Sequence, residues 1–279
     1  MKLGNAAWGF RQTPLDKQLK ITSAMGLALL EFNINNPAEN SIALKATDDE
    51  IETVRRLYKK YNIELLCAAS GNDFTRPKED DNYTELRRCF DIVMLAEKLG
   101  IKKIRFFAGF SALKEVKGKR FSCMIKCLND LCGFAADHNV SISLETHGGV
   151  DTVPGGVRHF PTVSTDQAGI KSMLAKMDSR IMFNYDPSNL LAAGSDPLEI
   201  WDIIKDRVDY MHLKDFIPVA GKKAVLPGAC GAGNLDWKNL AAVIENFNGP
   251  VFIEYENTHD IEHGLKSSLA FLQKIMRTA

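Results

Sequence analysis

The chain has 279 residues, enough for one large α/β domain with a sizeable core, and its 45% hydrophobic and 25% charged content is ordinary for a globular protein. Lys plus Arg equals Asp plus Glu, 35 against 35, so no net charge draws it to nucleic acid or to an anionic membrane. The stretch MKLGNAAWGFRQTP lacks the apolar core of a secretion signal, no later run is long enough to span a bilayer, and six cysteines without a CxxC pair read as reduced core thiols; a cytoplasmic protein is expected.

Short apolar runs alternate with amphipathic stretches along the chain. A strand at 2–8 (KLGNAAW) precedes a helix at 14–26 that opens on Pro14 and closes on Gly26. A strand at 27–33 (LALLEFN) precedes a helix at 47–62, acidic after Thr47 and basic at its end, as the helix dipole favours. Strand 63–69 (IELLCAA) leads to helix 83–100, strand 102–109 (KKIRFFAG) to helix 121–139, and strand 141–147 (SISLETH) to helix 164–177. Strand 181–187 (IMFNYDP) then leads to helix 196–208, strand 209–215 (DYMHLKD) to helix 236–247, and strand 251–257 (VFIEYEN) to helix 262–276. Eight β-then-α units imply parallel strands with helical crossovers, and at this length a closed (β/α)8 TIM barrel, a single domain over residues 1–279. The alternative, an open doubly wound sheet, lacks a GxGxxG after the first strand. Two long connections follow strand C-termini, 34–47 and 148–163, and either is a candidate lid.

Barrel strands should be apolar where they pack, yet four consecutive strands end on an ionisable residue: Glu145, Asp186, His212 and Glu254. One such residue alone is ordinarily an N-cap, an ion-pair partner or a satisfied histidine. Three carboxylates converging on one mouth would repel strongly, and a divalent cation resolves the conflict. Three oxygens and one imidazole suit Mn2+ first, with Mg2+, Co2+, Zn2+ and Fe2+ as alternatives.

These four positions, together with NYDPSN, HLKD and GAGNLDW, resemble the xylose-isomerase-like TIM-barrel superfamily over essentially the whole chain. The nearer branch is the tagatose/allulose 3-epimerase and inosose isomerase/dehydratase type. The resemblance implies one divalent metal on Glu145, Asp186, His212 and Glu254, with Glu145 and Glu254 doubling as the acid/base pair. It also implies a small-molecule sugar or polyol substrate, with assembly as a homodimer or homotetramer. Glu31, on the second strand, matches a glutamate that commonly sits near the family's site. The chain departs from the epimerases at Asn189, where they carry a histidine, and at Lys214–Asp215, where an arginine often holds substrate hydroxyls.

The implied chemistry is sugar isomerisation or epimerisation by proton abstraction next to a carbonyl, through a metal-bound enediolate. Loss of a β-hydroxyl from the same species would make the enzyme a lyase or dehydratase on an inosose or 3-keto-glycoside; a non-catalytic carbohydrate-binding barrel is a third alternative. An apurinic endonuclease would need a histidine-rich cluster, and only His147 and His212 of the six histidines sit at strand ends. His147 and Lys214 lie two residues beyond proposed ligands, on the same side, and are candidates to bind or protonate substrate. The bland alternatives are a cap for the Gly148–Gly149 turn and an ion pair to Asp215 or a neighbouring loop. Asn189, Glu31, Arg105 and Trp8 complete the candidate substrate-binding set, with Arg105 alternatively spanning the barrel to Glu31 and Phe107 joining Trp8 in an apolar wall. Arg158 and His159 read as exposed loop residues, with closure over substrate as the alternative, and GAGNLDW as a shaping loop before a helix capped by Asp236, with phosphate binding as the alternative.

Overall fold

The computed structural model describes residues 2–34 and 42–276. Strand β1 (Lys2–Asn5) is followed by α1 (Leu15–Ala24), and the next extended segment is two short strands, β2 (Leu29–Leu30) and β3 (Phe32–Asn33), split at Glu31. Then come α2 (Asp48–Lys60), β4 (Cys67–Ala69), α3 (Glu79–Leu99), β5 (Lys103–Phe106), α4 (Lys119–Asp137) and β6 (Ser141–Glu145). A hairpin, β7 (Gly149–Val153) and β8 (Gly156–Phe160), precedes α5 (Gln167–Leu174), β9 (Met182–Tyr185), α6 (Pro187–Ala192) and α7 (Pro197–Ile204). Strand β10 (Val208–Leu213) runs into a second hairpin, β11 (Asp215–Pro218) and β12 (Val225–Gly228), and α8 (Trp237–Glu245), β13 (Pro250–Ile253) and α9 (Ile261–Ile275) finish the chain.

The main sheet is parallel, in the order β2-β1-β13-β10-β9-β6-β5-β4-β3. Its two end strands are halves of one segment, and Leu29 bridges to Glu64 ahead of β4, so the sheet closes on itself at Glu31. The result is the (β/α)8 barrel expected from the alternation of elements.

Local chemistry sets the helix boundaries. Thr47 and Glu50 form a reciprocal capping box at the start of α2, satisfying two backbone donors that the helix leaves free. Gly100 ends α3 at φ 81°, the left-handed conformation that only glycine adopts cheaply. Helix α3 begins at Glu79, earlier than the apolar period indicates, because Glu79, Asp80 and Asp81 supply a favourable acidic first turn.

Along each barrel strand, alternate residues face in and out. Leu144, Phe183, Met211 and Ile253 face the helices and are fully buried in the main apolar core. Leu29, Cys67, Tyr210 and Phe252 form a separate apolar cluster, the plug inside the barrel, with the Tyr210 and Phe252 rings 5.0 Å apart. Above this plug the inward positions turn polar.

Two features differ from expectation. Segment 148–163 is an ordered β-hairpin, and its strand β8 pairs with β12 of the hairpin after β10, making a four-stranded antiparallel sheet at the mouth. Its turn-rich composition conceals the short strands: Gly149 is needed because a Cβ there would meet the Phe160 ring at 2.0 Å. The short helix α6 was also not anticipated; Pro187 at its first position and Asp186 as its cap start it. Of the other candidate lid, 34–47, residues 35–41 lie outside the described residues. All six cysteines are buried and free, and no helix among the described residues is long and apolar enough to cross a membrane.

Leu144→Ala should cost about 2–5 kcal/mol by opening a cavity between sheet and helices, read from urea unfolding, because Leu144 is fully buried. A loss under about 1 kcal/mol would show that its outward packing contributes little.

Candidate active site

Each member of the quartet is held by a strand end. Glu145 closes β6, Asp186 follows β9 and caps α6, His212 lies in β10, and Glu254 follows β13. One donor atom from each lies within 4.8 Å of the others, and all four side chains are buried. The cap and the cluster roles of Asp186 coexist: its Oδ1 accepts the Asn189 backbone N–H while Oδ2 faces the cluster.

His212 is fixed in orientation by Glu31. Its Nε2 lies 3.1 Å from Glu31 Oε1, which also accepts the Tyr210 hydroxyl, and Glu31 Oε2 accepts the Ala7 amide at 2.9 Å. Glu31 is completely buried on the segment that closes the barrel, and with these partners its carboxyl lies below its ordinary value: burial opposes ionisation, but His212, Arg105 and the Ala7 amide outweigh it. The other imidazole nitrogen, Nδ1, has no hydrogen-bond partner; it faces Glu145 Oε2 at 3.8 Å and Glu254 Oε2 at 3.7 Å. Those gaps are too long for hydrogen bonds. They match the separation of two ligands about 2.1 Å from one shared cation, roughly 3–4 Å apart. A carboxylate on the far ring nitrogen is the usual way to aim an imidazole lone pair at a metal. The donor set therefore fits a divalent cation.

Protein groups hold the carboxylates. Arg105, buried on β5, pairs through Nε with Glu145 Oε2 at 3.0 Å, donates to the Ser70 carbonyl, and lies over the Phe107 ring. Its paired carboxylate is thus Glu145 rather than Glu31. Lys214 Nζ lies 3.1 Å from Asp186, 2.6 Å from Glu254 and 2.6 Å from Glu256. It does not pair with Asp215, which instead accepts the Phe216 amide and the Trp237 indole at 2.9 Å. Asn189 spans Glu145 at 2.9 Å and Asp186 at 3.0 Å with its amide nitrogen, while its Oδ1 is buried without a partner.

The surroundings divide the carboxyls. Burial pushes Glu145 up, but Arg105 and His212 hold it well below its usual range. Burial raises Asp186 to about 7, with Glu145 and Glu254 adding to the rise and Lys214 opposing it. Burial likewise raises Glu254. Burial opposes charge on His212 and Lys214, yet the carboxylates around them lift both well above their ordinary values.

Around the mouth stand His147, His159, Phe107, Phe110 and Phe216. His147 is half-buried and gives Nδ1–H to its neighbour's carbonyl, Gly148, at 2.6 Å; burial and Lys214 lower it, so it is a neutral imidazole with Nε2 as acceptor. Its ring packs edge-on against Phe107 and Phe110. His159 is not an exposed loop residue: it is half-buried on β8, packs on Phe216 at 4.8 Å, and burial lowers it to about 3. Arg158 is exposed and pairs with Asp151. Trp8 sits in a short turn after β1 under the Arg11 guanidinium, outside the quartet's hydrogen bonds among the described residues. The GAGNLDW loop wraps Asp215 so closely that a Cβ at Gly233 would lie 2.1 Å from its Oδ1, and Asp236 caps α8 as expected.

Phe110 and Glu256 were not singled out from the sequence. Glu256 carried a usable signal, since it lies two residues past Glu254, as His147 and Lys214 do past Glu145 and His212.

A family model described as xylose isomerase-like TIM barrel matches residues 19–275. No curated protein sequence matches the chain. Among solved structures it is similar to the probable 3-DHS dehydratase AsbF of Bacillus anthracis, at 16% identity and a TM-score of 0.78, covering 98% of this chain and 99% of that one. It is also similar to the 3-keto-D-glucoside 4-epimerase YcjR of E. coli, at 18% identity and a TM-score of 0.72, covering 98% and 99%. A third similar structure is the IOLI protein with a binding zinc atom, at 14% identity and a TM-score of 0.75, covering 100% and 99%. Identities this low establish the fold alone.

A cation on His212 and Asp186 has to displace protons that these residues hold near neutrality. Mn2+ binding should therefore release protons and tighten as pH rises from about 6 to about 8, read by calorimetry in buffers of different ionisation enthalpy. Affinity that stays flat over that range would contradict the raised positions of Asp186 and His212.

Proposed function

The chain belongs to the xylose isomerase-like TIM-barrel family, and on that premise we propose that it is a metal-dependent isomerase or epimerase of a keto-sugar or keto-polyol. The observation that carries this reading is the buried quartet Glu145, Asp186, His212 and Glu254, with an imidazole nitrogen aimed by Glu31 into a gap between carboxylates. A divalent ion held there, Mn2+ by preference, supplies Lewis-acid stabilisation of negative charge on a carbonyl oxygen.

The protein's own groups supply the rest. Glu145 closes β6 and Glu254 follows β13, either side of His212, so they approach a bound carbon from different directions. Their environments push them apart: Arg105 keeps Glu145 ionised, which suits a base, while burial and nearby carboxylates favour a proton on Glu254, which suits an acid. Asn189 Oδ1, buried and without a partner, offers an acceptor to a substrate hydroxyl. Phe107, Phe110 and His147 give the apolar wall on which a sugar ring packs.

The charges favour an uncharged substrate. Arg105 is committed to Glu145, and Lys214 to three carboxylates, so a phosphate or carboxylate would meet unbalanced negative charge. A second reading, elimination of water from an inosose or 3-keto-glycoside, is favoured by Lys214 itself, a protonated donor beside the quartet that can give its proton to a leaving hydroxyl.

The test is a panel of ketoses, inososes and 3-keto-glycosides with Mn2+ in deuterated solvent, followed by NMR. The expected result is deuterium entering the carbon next to the carbonyl. At saturating Mn2+, Glu145→Gln should abolish exchange, and Glu254→Gln should lower conversion by roughly 10²–10⁴-fold while exchange persists. No exchange across the panel, or full conversion by Glu254→Gln, would contradict the reading.

A further inference from the structure

The quartet is the lower of two polar layers. Two residues further along the same strands stand His147, Lys214 and Glu256, on the same inward side as Glu145, His212 and Glu254. Ser188, two residues past Asp186, donates to the Lys214 carbonyl and pins its backbone. Within this upper layer one ammonium touches both layers. Lys214 Nζ reaches Asp186 at 3.1 Å and Glu254 at 2.6 Å below, and Glu256 at 2.6 Å beside it. The Lys214 side chain is 3% exposed, so no water can replace these partners fully, whereas Glu256 is 20% exposed and belongs to no ligand set.

This geometry makes Lys214 and a divalent cation rivals for the same two carboxylates. Within a few ångströms a dication and an ammonium repel by several kcal/mol even at an effective dielectric constant of about 20. We propose that Lys214 is a built-in stand-in cation for the quartet, and that Glu256 is the positioning residue that retains its ammonium when a divalent ion takes Asp186 and Glu254. The inference rests on the metal-binding part of the function proposed above. It explains why an acid outside the quartet lies two residues past a ligand: without Glu256, the displaced ammonium would have no counter-ion. Glu256 is suited to this role by its place: its Oε1 already lies 2.6 Å from the Lys214 ammonium, outside the quartet.

The experiment measures Mn2+ affinity of the full chain, by competition with a chromophoric chelator, in a cycle of Lys214→Met and Glu256→Gln. Lys214→Met should bind Mn2+ at least about tenfold more tightly, because the rival is gone. Glu256→Gln should bind about tenfold more weakly, because the ammonium then stays on the quartet, and in the Lys214→Met background the same change should cost less than about threefold. Equal losses from Glu256→Gln in both backgrounds would mean that Glu256 acts on the metal directly, and overturn the proposal. So would unchanged affinity in Lys214→Met. If Lys214→Met fails to fold without metal, Lys214→Gln, which keeps hydrogen-bond donors but no charge, takes its place. Wild-type protein that binds no Mn2+ removes the proposal together with the metal-dependent function, whereas wild-type binding with an additive cycle removes the proposal alone.

Discussion

Glu31, Glu145, Asp186 and Glu254 are all buried at one end of the barrel, and Glu256 is close beside them. Each like-charged pair at about 4 Å costs on the order of 4 kcal/mol at an effective dielectric constant of 20, comparable with much of a domain's net stability. The ion pairs around the quartet answer that repulsion. Arg105 answers Glu145, His212 and the Tyr210 hydroxyl answer Glu31, Lys214 answers Asp186, Glu254 and Glu256, and Asn189 bridges Glu145 and Asp186. Asp186 is still raised to about 7, by its burial first and then by Glu145 and Glu254, with Lys214 opposing.

The architecture spreads this charge in layers. Parallel strands with inward residues two apart stack Tyr210, His212 and Lys214 on β10 and its extension, and Phe252, Glu254 and Glu256 on β13 and its extension. The apolar bottom keeps the low-dielectric plug under the quartet, and the upper layer meets the two mouth hairpins. Glu31 has a structural and a chemical task at once: it lies where β2 gives way to β3, at the closure of the barrel, and its carboxylate sets the His212 ring.

Much of this was legible before any coordinates. The β-then-α alternation implied a barrel over an open doubly wound sheet, and an ionisable residue closing each of four successive apolar runs implied that their side chains meet at its mouth. The i, i+2 rule placed His147 and Lys214 on the inner face. What escaped depends on contacts across the barrel. Whether Arg105 faces Glu145 or Glu31, and whether Lys214 turns to Asp215 or to Glu256, is decided by how strands stagger on closure, which no local pattern encodes. The hairpins escaped because their strands are short, glycine-rich and solvent-facing, so alternation along them is weak. His159 was misplaced for the same reason: its burial comes from Phe216, on a hairpin remote in sequence.

The central claim is that these charges are arranged around one divalent cation in the quartet, with His212 presenting Nδ1 because Glu31 holds Nε2. The most direct measurement is a crystal structure of the protein grown with Mn2+, with anomalous scattering recorded at the manganese edge. The account predicts one anomalous peak about 2.0–2.3 Å from His212 Nδ1 and from an oxygen of each of Glu145, Asp186 and Glu254. No peak among these residues, or a peak bound through His212 Nε2 with Glu31 displaced, would contradict it.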